Sequence, residues 1–271
     1  MSFLTASIVI YNNINQVKDL LNDLTLYNGK IQVFVIDNSD QNHSQFFSNI
    51  DKVKYLFNNK NLGYGKAHNI AIDKSIELGS NYHIILNPDI RLNKGTLNSI
   101  VNFMENNPEV GMCSPKILFP NGDLQYLCKL IPKPQNLLIR RFLPSKKIIS
   151  KHDNKYELRN FSYNHNIEIP YISGCFMFAK TSILEKVNGF DERFFLYFED
   201  LDLTRRIGQL SKTYFFAETF VYHGYNKESY RNNKVLIYHM KNAVKYFNKW
   251  GWFFDKERNE INKKTLLQLN K

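Results

Sequence analysis

The sequence predicts an α/β protein with a mostly parallel sheet covered by helices on both faces. Three observations carry this. Short β-branched runs alternate with helix-period runs through the first half of the chain. The strand runs read as buried, as strands sandwiched between helix layers do. Several of them stop at an Asp or Asn, where open α/β sheets bind ligands beyond their carboxyl ends.

The elements follow in order. Ser7-Ile8-Val9-Ile10-Tyr11 is a first strand, and Val17, Leu20, Leu21 and Leu24 recur at helical spacing. Gln32-Val33-Phe34-Val35-Ile36 is a second strand that stops at Asp37. Lys54-Tyr55-Leu56-Phe57 is a third, and Ala67, Ile70, Ala71 and Ile76 mark a helix ended by Gly79. Residues 82–86 form a fourth strand stopping at Asn87-Pro88-Asp89. Leu97, Ile100, Val101 and Met104 then mark a helix that ends before Pro108. Residues 129–151 hold three prolines, seven Lys or Arg and no acid, which reads as an exposed loop or short basic helices. A buried strand is expected at 171–178 and a short helix at 181–187. Two strands are expected at 214–216 and 220–222, and a helix at 234–250 with Ile237, Met240, Val244 and Phe247 on one side.

Composition narrows the class. With 271 residues, 43% of them hydrophobic, the chain can bury a real core. At about 150 residues per domain it makes one large or two small domains. Cys113, Cys128 and Cys175 show no paired spacing, which excludes a disulfide scaffold and a zinc ribbon and fits a reducing compartment. No run approaches the length of a membrane span, and the first ten residues do not read as a signal peptide, so a cytoplasmic protein is expected. A net charge of +11 seeks an anionic partner: nucleic acid, anionic lipid or a phosphorylated substrate.

Five segments carry candidate chemistry. Asn61-Leu62-Gly63-Tyr64-Gly65-Lys66-Ala67-His68-Asn69 follows a strand and opens a helix, as a phosphate cradle or a plain structural turn would. It is neither a dinucleotide fingerprint nor a P-loop. Asp37 can accept hydrogen bonds from a ribose or a base, or simply start a turn. Asp89 can supply the single carboxylate that a phosphate-bound divalent cation needs, with Asn87 beside it; the alternative is an ordinary Asn-Pro turn. Glu199, Asp200 and Asp202 follow five aromatic or aliphatic residues, Phe194 to Phe198. Crowded carboxylates beside an apolar run suit a base held near a desolvated pocket, or else the acidic first turn of a helix. His223 lies just past a strand and could bind a metal or a phosphate, or neither.

These segments, in this order, resemble glycosyltransferase family 2, whose members adopt the GT-A fold. The resemblance runs from about Ala6 to Gly224. Its most specific part leads from Ile172-Ser173-Gly174-Cys175-Phe176-Met177-Phe178 through Gly189-Phe190-Asp191-Glu192-Arg193-Phe194-Phe195 to Glu199-Asp200-Leu201-Asp202-Leu203. Leu86-Asn87-Pro88-Asp89 is similar to the form seen in the rhamnosyltransferase-like branch. The resemblance implies a GT-A domain over 1–224, with a donor half to about 115 and an acceptor half beyond it. A basic-aromatic helical extension over 225–271 follows.

It also implies roles. Asp37 matches the acid that binds the nucleobase, while Asn61, Gly63 and Asn69 match the donor loop and helix. Tyr11, Lys66, Asn87 and Arg206 join the donor set. Asp89 matches the last acid of the metal motif, with Mg²⁺ or Mn²⁺ as cofactor, and His223 assists the metal or diphosphate. Asp200 matches the catalytic base, with Glu199 beside it and Gly174 and Asp202 towards the acceptor. Asn87 stands where the family more often has an acid, which removes one charge from the metal motif; the first strand also lacks a proline common in the family.

The expected reaction is transfer, with inversion, from a nucleoside-diphosphate sugar to a hydroxyl of a glycan or lipid-linked glycan. By branch the donor is dTDP-rhamnose; a UDP-sugar is the other option, and a bacterial surface polysaccharide is the expected setting. Trp250-Gly251-Trp252-Phe253-Phe254, flanked by Lys249 and Lys256, and the basic run 129–151 suit an anionic membrane surface as well as ordinary packing. Three rival readings stand beside this one. A nucleotidyltransferase would carry a glycine-rich basic loop after the first strand, where Tyr11-Asn12-Asn13 stands. A nucleic-acid binder would not want the 199–202 acids. A donor-binding protein without catalysis is left open by Asn87.

Overall fold

The computed structural model describes residues 2–136, 154–224 and 233–269. The elements are β1 (Leu4–Ile10), α1 (Val17–Thr25), β2 (Ile31–Asp37), α2 (Ser44–Phe47), β3 (Val53–Phe57), α3 (Tyr64–Glu77), β4 (Tyr82–Leu86), β5 (Ile90–Leu92) and α4 (Thr96–Asn106). Then come β6 (Val110–Leu118), β7 (Ile167–Glu168), β8 (Phe176–Lys180), α5 (Thr181–Lys186), α6 (Glu199–Gly208), β9 (Lys212–His223), α7 (Asn233–Trp250) and α8 (Lys256–Gln268).

One sheet runs β3-β2-β1-β4-β8-β6-β9-β5, with β7 on β9. The block β3-β2-β1-β4 is parallel, as is the long β6–β9 ladder, so most paired positions are parallel. The antiparallel strand β8 joins the two halves. Side-chain alternation sorts the faces: Ile84, Leu86 and Phe176 share one core with α1 and α4, while Ile85 and Met177 share the other with α5 and α6.

Three sequence expectations change here. Only 176–180 of the apolar stretch pairs as a strand. Residues 171–175 leave the sheet because α6 takes their backbone N–H groups: Ile172 donates to Thr204 Oγ1 at 3.3 Å and Gly174 to Asp200 Oδ2 at 3.0 Å. The two strands expected at 214–216 and 220–222 are one strand, β9, crossing a register irregularity against Pro115 and Lys116. Pro115 lacks an N–H, so the irregularity falls where the ladder has no donor to lose. Finally, the basic run does not begin as an exposed loop. Leu130 and Ile131 are buried, and the Asn262 side chain clamps Ile131 by both backbone groups at 2.8 and 2.9 Å. The rest of that run, 137–151, lies outside the described residues.

The C-terminal helices pack on α6. Ala243, Tyr246 and Phe247 of α7 bury against Phe194, Phe198, Leu201 and Ile131. Arg205 of α6, itself buried, makes a two-point ion pair with the buried Asp255 at 2.7 Å for each bond and stacks 4.1 Å above the Trp250 ring.

Candidate functional site

Strand register brings the site to one edge. Ile10 faces Asp37, and Asp37 faces Phe57. Leu86 faces Phe176 across the antiparallel step, and Ile90 faces His223. The carboxyl ends of β1 to β4 and β9 therefore meet the amino ends of β5 and β8 there, where the topology predicts a ligand crevice.

At the β4 end, the Asn87 N–H donates to the Cys175 carbonyl at 3.0 Å, and the Gly224 N–H donates to the Asp89 carbonyl at 3.2 Å. His223 Nε2 lies 3.2 Å from Asn87 Nδ2 and 3.4 Å from Asp89 Oδ1. The Gln125 amide nitrogen donates to the carbonyls of His223 (2.8 Å) and Leu118 (3.3 Å), which orients that amide. Its oxygen then sits 3.1 Å from His223 Nδ1. That assigns the ring proton to Nδ1 and leaves the Nε2 lone pair directed at Asn87 and Asp89. Two electron-rich atoms, Nε2 and Asp89 Oδ1, thus face each other. This donor set fits a divalent cation that takes the rest of its shell from phosphate oxygens. No cluster of three or more His, Cys, Asp or Glu occurs among the described residues.

Asp200 sits in the first turn of α6. Its Oδ2 accepts from the Gly174 N–H at 3.0 Å and the Tyr171 hydroxyl at 3.1 Å, and its Oδ1 from the Leu201 N–H at 2.8 Å. Burial pushes its pKa up, and these donors limit the rise. Glu199 is different. It is buried, its Oε2 has no hydrogen-bond partner, and burial together with the Asp200 charge pushes its carboxyl well above the usual range. Burial pushes both carboxyls up, and Glu199 Oε2 lacks the donors that hold Asp200. The two residues before them, Tyr197 and Phe198, both take left-handed backbone, φ 70° and 71°. Such conformations cost about 1–3 kcal/mol each. Asn242 of α7 holds them, donating to the carbonyls of Leu196 (2.8 Å) and Tyr197 (3.3 Å).

The two acids share neighbours. Burial, followed by the nearby acidic groups of Glu199, Cys175, Asp200 and Asp89, drives the Tyr64 phenol well above its usual range. Cys175 is pushed up to about 12 by burial, with Asp89 and Asp200 adding to it. Tyr64 also donates to the Gly174 carbonyl, and its N–H donates to the Phe195 carbonyl at 2.9 Å. Gly63 precedes it with φ 84°, and a Cβ there would stand 2.4 Å from that same carbonyl oxygen. Only glycine fits.

Asp37 lies at the same edge, fully buried. It accepts from the Ser39 N–H (2.8 Å), the Tyr55 hydroxyl (2.7 Å) and His43 Nδ1 (2.7 Å). Burial alone would raise its pKa; those bonds outweigh burial and hold it below the usual carboxylate range. Its neighbour Asn38 makes the link to the donor loop, donating to the Gly63 carbonyl at 3.1 Å and lying 3.4 Å from Asn61 Oδ1. Asn61 Oδ1 also accepts from the Gly63 N–H at 2.9 Å. Tyr11 is exposed just past β1.

Four of the expected site residues make contacts within the protein. Lys66 pairs with Glu192. The Asn69 amide brackets the Phe190 backbone at 2.8 and 2.9 Å. Arg206 donates to Asp202 and to the carbonyls of Val187 and Gly189. Asp202, fully buried, also takes Trp250 Nε1 at 2.8 Å and Lys249 at 2.6 Å. These contacts fix the turn between α5 and α6 and dock α7.

Asp200 lines a cavity of about 740 Å³ whose walls include Tyr126, Tyr156, Tyr171, Tyr197 and His239. That volume falls within the range of small-ligand sites. Lys129 adds a positive charge to its wall, and Arg159 there pairs with Glu157. Sequence reasoning passed over Gln125, Tyr64, Tyr171 and Asn242. Tyr64 lay inside a quoted segment, but nothing in the spacing marked the other three.

A family model described as glycosyl transferase family 2 matches residues 5–187. The chain is 25% identical over 130 residues to an N-acetylglucosaminyl-diphospho-decaprenol L-rhamnosyltransferase of Mycobacterium tuberculosis, a match covering 46% of this chain and 41% of that protein. It is 24% identical over 174 residues to rhamnosyltransferase WbbL of Escherichia coli K12, covering 61% of each. The matches thus span about two fifths and three fifths of those relatives. Among solved structures, GalNAc-T7 with UDP, GalNAc and Mn²⁺ superposes with a TM-score of 0.62 at 14% identity, over 84% of this chain and 44% of that one.

Proposed function

The chain belongs to glycosyl transferase family 2 and has the GT-A fold, and from this we propose that it moves a sugar from a nucleoside-diphosphate donor to a hydroxyl of a glycan acceptor. The observation that carries the proposal is the state of Asp200. Its carboxyl group is held by three donors at the wall of a cavity, beside the buried Glu199.

Asp200 takes the proton from the acceptor hydroxyl as the oxygen attacks the anomeric carbon. The bond to the diphosphate breaks on the opposite face, so the configuration inverts. A positioned base contributes roughly 10²–10⁴-fold. Asp89 and His223 would hold Mg²⁺ or Mn²⁺ against the diphosphate, with Asn87 alongside. When bound, the cation neutralises charge on the departing diphosphate. The Asn38–Asn61–Gly63 link shapes the donor loop, and Asp37 anchors the end of β2 beneath the nucleobase. The aromatic cavity wall receives the acceptor, a glycan ring stacking on tyrosine faces.

The proposed donor is dTDP-rhamnose, supported by the two rhamnosyltransferase relatives; a UDP-hexose is the competing donor. The proposed setting is assembly of a bacterial surface polysaccharide on a lipid-linked glycan. That choice is supported by the polyprenyl diphosphate named in the mycobacterial relative. A thermal-shift screen of nucleoside diphosphates and their sugars, with and without Mn²⁺, tests the donor. Stabilisation by dTDP compounds supports rhamnose; stabilisation by UDP compounds alone replaces it. Stabilisation by none of them removes the transfer reading.

A further inference from the structure

Helix α7 has two faces. Asn242, Ala243, Tyr246 and Phe247 are buried against the site, whereas Ile237, Met240, Lys241, Val244, Lys245 and Asn248 are exposed. The exposed positions step by three and one, a single stripe on a 3.6-residue helix. Beyond its end, Phe253 is 75% and Phe254 is 98% exposed. No acidic residue occurs from position 233 to 254.

The aromatic turn is held from beneath. Gly251 has φ 101°, and Arg258 donates to the Trp252 carbonyl at 3.1 Å. Trp252 Nε1 donates to Asn248 at 2.8 Å, and its ring packs 5.2 Å from that of Phe247. The first acid after the turn, Asp255, points inward to Arg205. A turn pinned this way, with two exposed phenylalanines at its tip, is an apolar wedge without cover among the described residues.

We propose that the stripe of α7 and the Trp252–Phe253–Phe254 turn dock on an anionic phospholipid bilayer. Charge decides the occupant. Lys241 and Lys245, the latter also donating to the Arg193 carbonyl, interleave with apolar side chains on one face, Asp255 is turned inward, and the helix ends in aromatics, as helices lying in an anionic interface do. His239, on the same helix, reaches the wall of the Asp200 cavity. The cavity is therefore about one helix diameter, 10–12 Å, from the lipid plane. That the acceptor arrives from this plane rests on the transferase reading above; the docking does not.

Flotation with vesicles tests the docking without any transfer assay. The chain is expected to float with phosphatidylcholine vesicles containing phosphatidylglycerol and to stay down with phosphatidylcholine alone. Partitioning of F253S/F254S is expected to fall about tenfold per phenylalanine. That of K241Q/K245Q should fall roughly fivefold per lysine. Both variants should bind nucleoside diphosphate as the parent does, which shows them folded. Wild-type protein that stays down with anionic vesicles overturns the proposal, as does an F253S/F254S variant that floats like the parent. A concentration-dependent dimer abolished by F253S/F254S, with no flotation, assigns the face to a second copy and equally overturns it.

Discussion

Gln125 fixes which nitrogen of His223 faces Asp89. Its amide nitrogen serves two carbonyls and its oxygen takes Nδ1–H at 3.1 Å, so Nε2 presents a lone pair to a carboxylate 3.4 Å away. The two residues are 98 positions apart and meet because β6 and β9 run side by side, with Gln125 just past the end of β6. Held this way, the imidazole already has the tautomer that a cation needs.

Replacing Gln125 with Leu is therefore expected to weaken Mn²⁺ binding about 10–100-fold in the presence of a nucleoside diphosphate, measured by calorimetry or electron paramagnetic resonance. ¹⁵N chemical shifts of His223 should report mixed tautomers in the variant. Unchanged Mn²⁺ affinity with a single Nδ1–H tautomer would falsify the positioning role.

Asp200→Asn should lower kcat by roughly 10²–10⁴-fold while nucleoside-diphosphate binding stays within about twofold. Because the native carboxyl titrates above its ordinary value, activity should fall as pH drops through that raised pKa. The acid limb of the pH–rate profile is then expected above about pH 4. Full turnover by the variant would remove Asp200 as base.

Glu199→Gln has a signature in stability. A buried carboxyl with a raised pKa keeps its proton in the folded chain and loses it in the unfolded one. Its penalty is absent below the unfolded pKa and grows as pH rises from there towards the folded value. The variant should raise Tm near neutral pH and leave it unchanged below about pH 4. Equal shifts at both would mean Glu199 is ionised in the fold.

Asn242→Ala removes the donor that holds Leu196 and Tyr197. The expected loss is about 1–3 kcal/mol of stability. Relaxation of the strained backbone should move Asp200, so kcat should fall while donor affinity holds. A fall in donor affinity alone would contradict this.

Arg205→Ala leaves Asp255 buried and without its two-point partner. Chemical denaturation should show a loss of about 3–5 kcal/mol. A loss under about 1 kcal/mol would mean that α8 is not anchored through this pair.

The parallel block was legible because β1, β2 and β4 are short buried runs with a polar stop at or just past their ends, and β4 matched its expected bounds of 82–86, while β3, at the sheet edge, is only partly buried. Strand β6 was not, since Gly111, Ser114 and Pro115 break its apolar run, and the surrounding β8 and β9 rather than its own propensity make it a strand. Residues 171–175 carry a strand composition, yet Asp200 and Thr204 compete for their N–H groups. In the site, acids at strand ends could be picked out by topology. Their partners could not, because Gln125, Tyr171 and Asn242 are ordinary polar residues whose value lies in contacts across the fold. Asp202 and Arg206 show the converse: a motif position can be occupied by its own neighbours, here each other, Lys249 and Trp250.

Gly63 leaves no gap between the loop before α3 and the Phe195 carbonyl, and the Tyr64 N–H closes on that oxygen. The strand-end loop and the strained lead-in to α6 are thereby geared together. A sideways shift in one drags the other, so exchanging the loop for a different nucleotide preference would disturb the base unless Phe195 were redesigned with it. Two functions that look modular along the chain are mechanically one part.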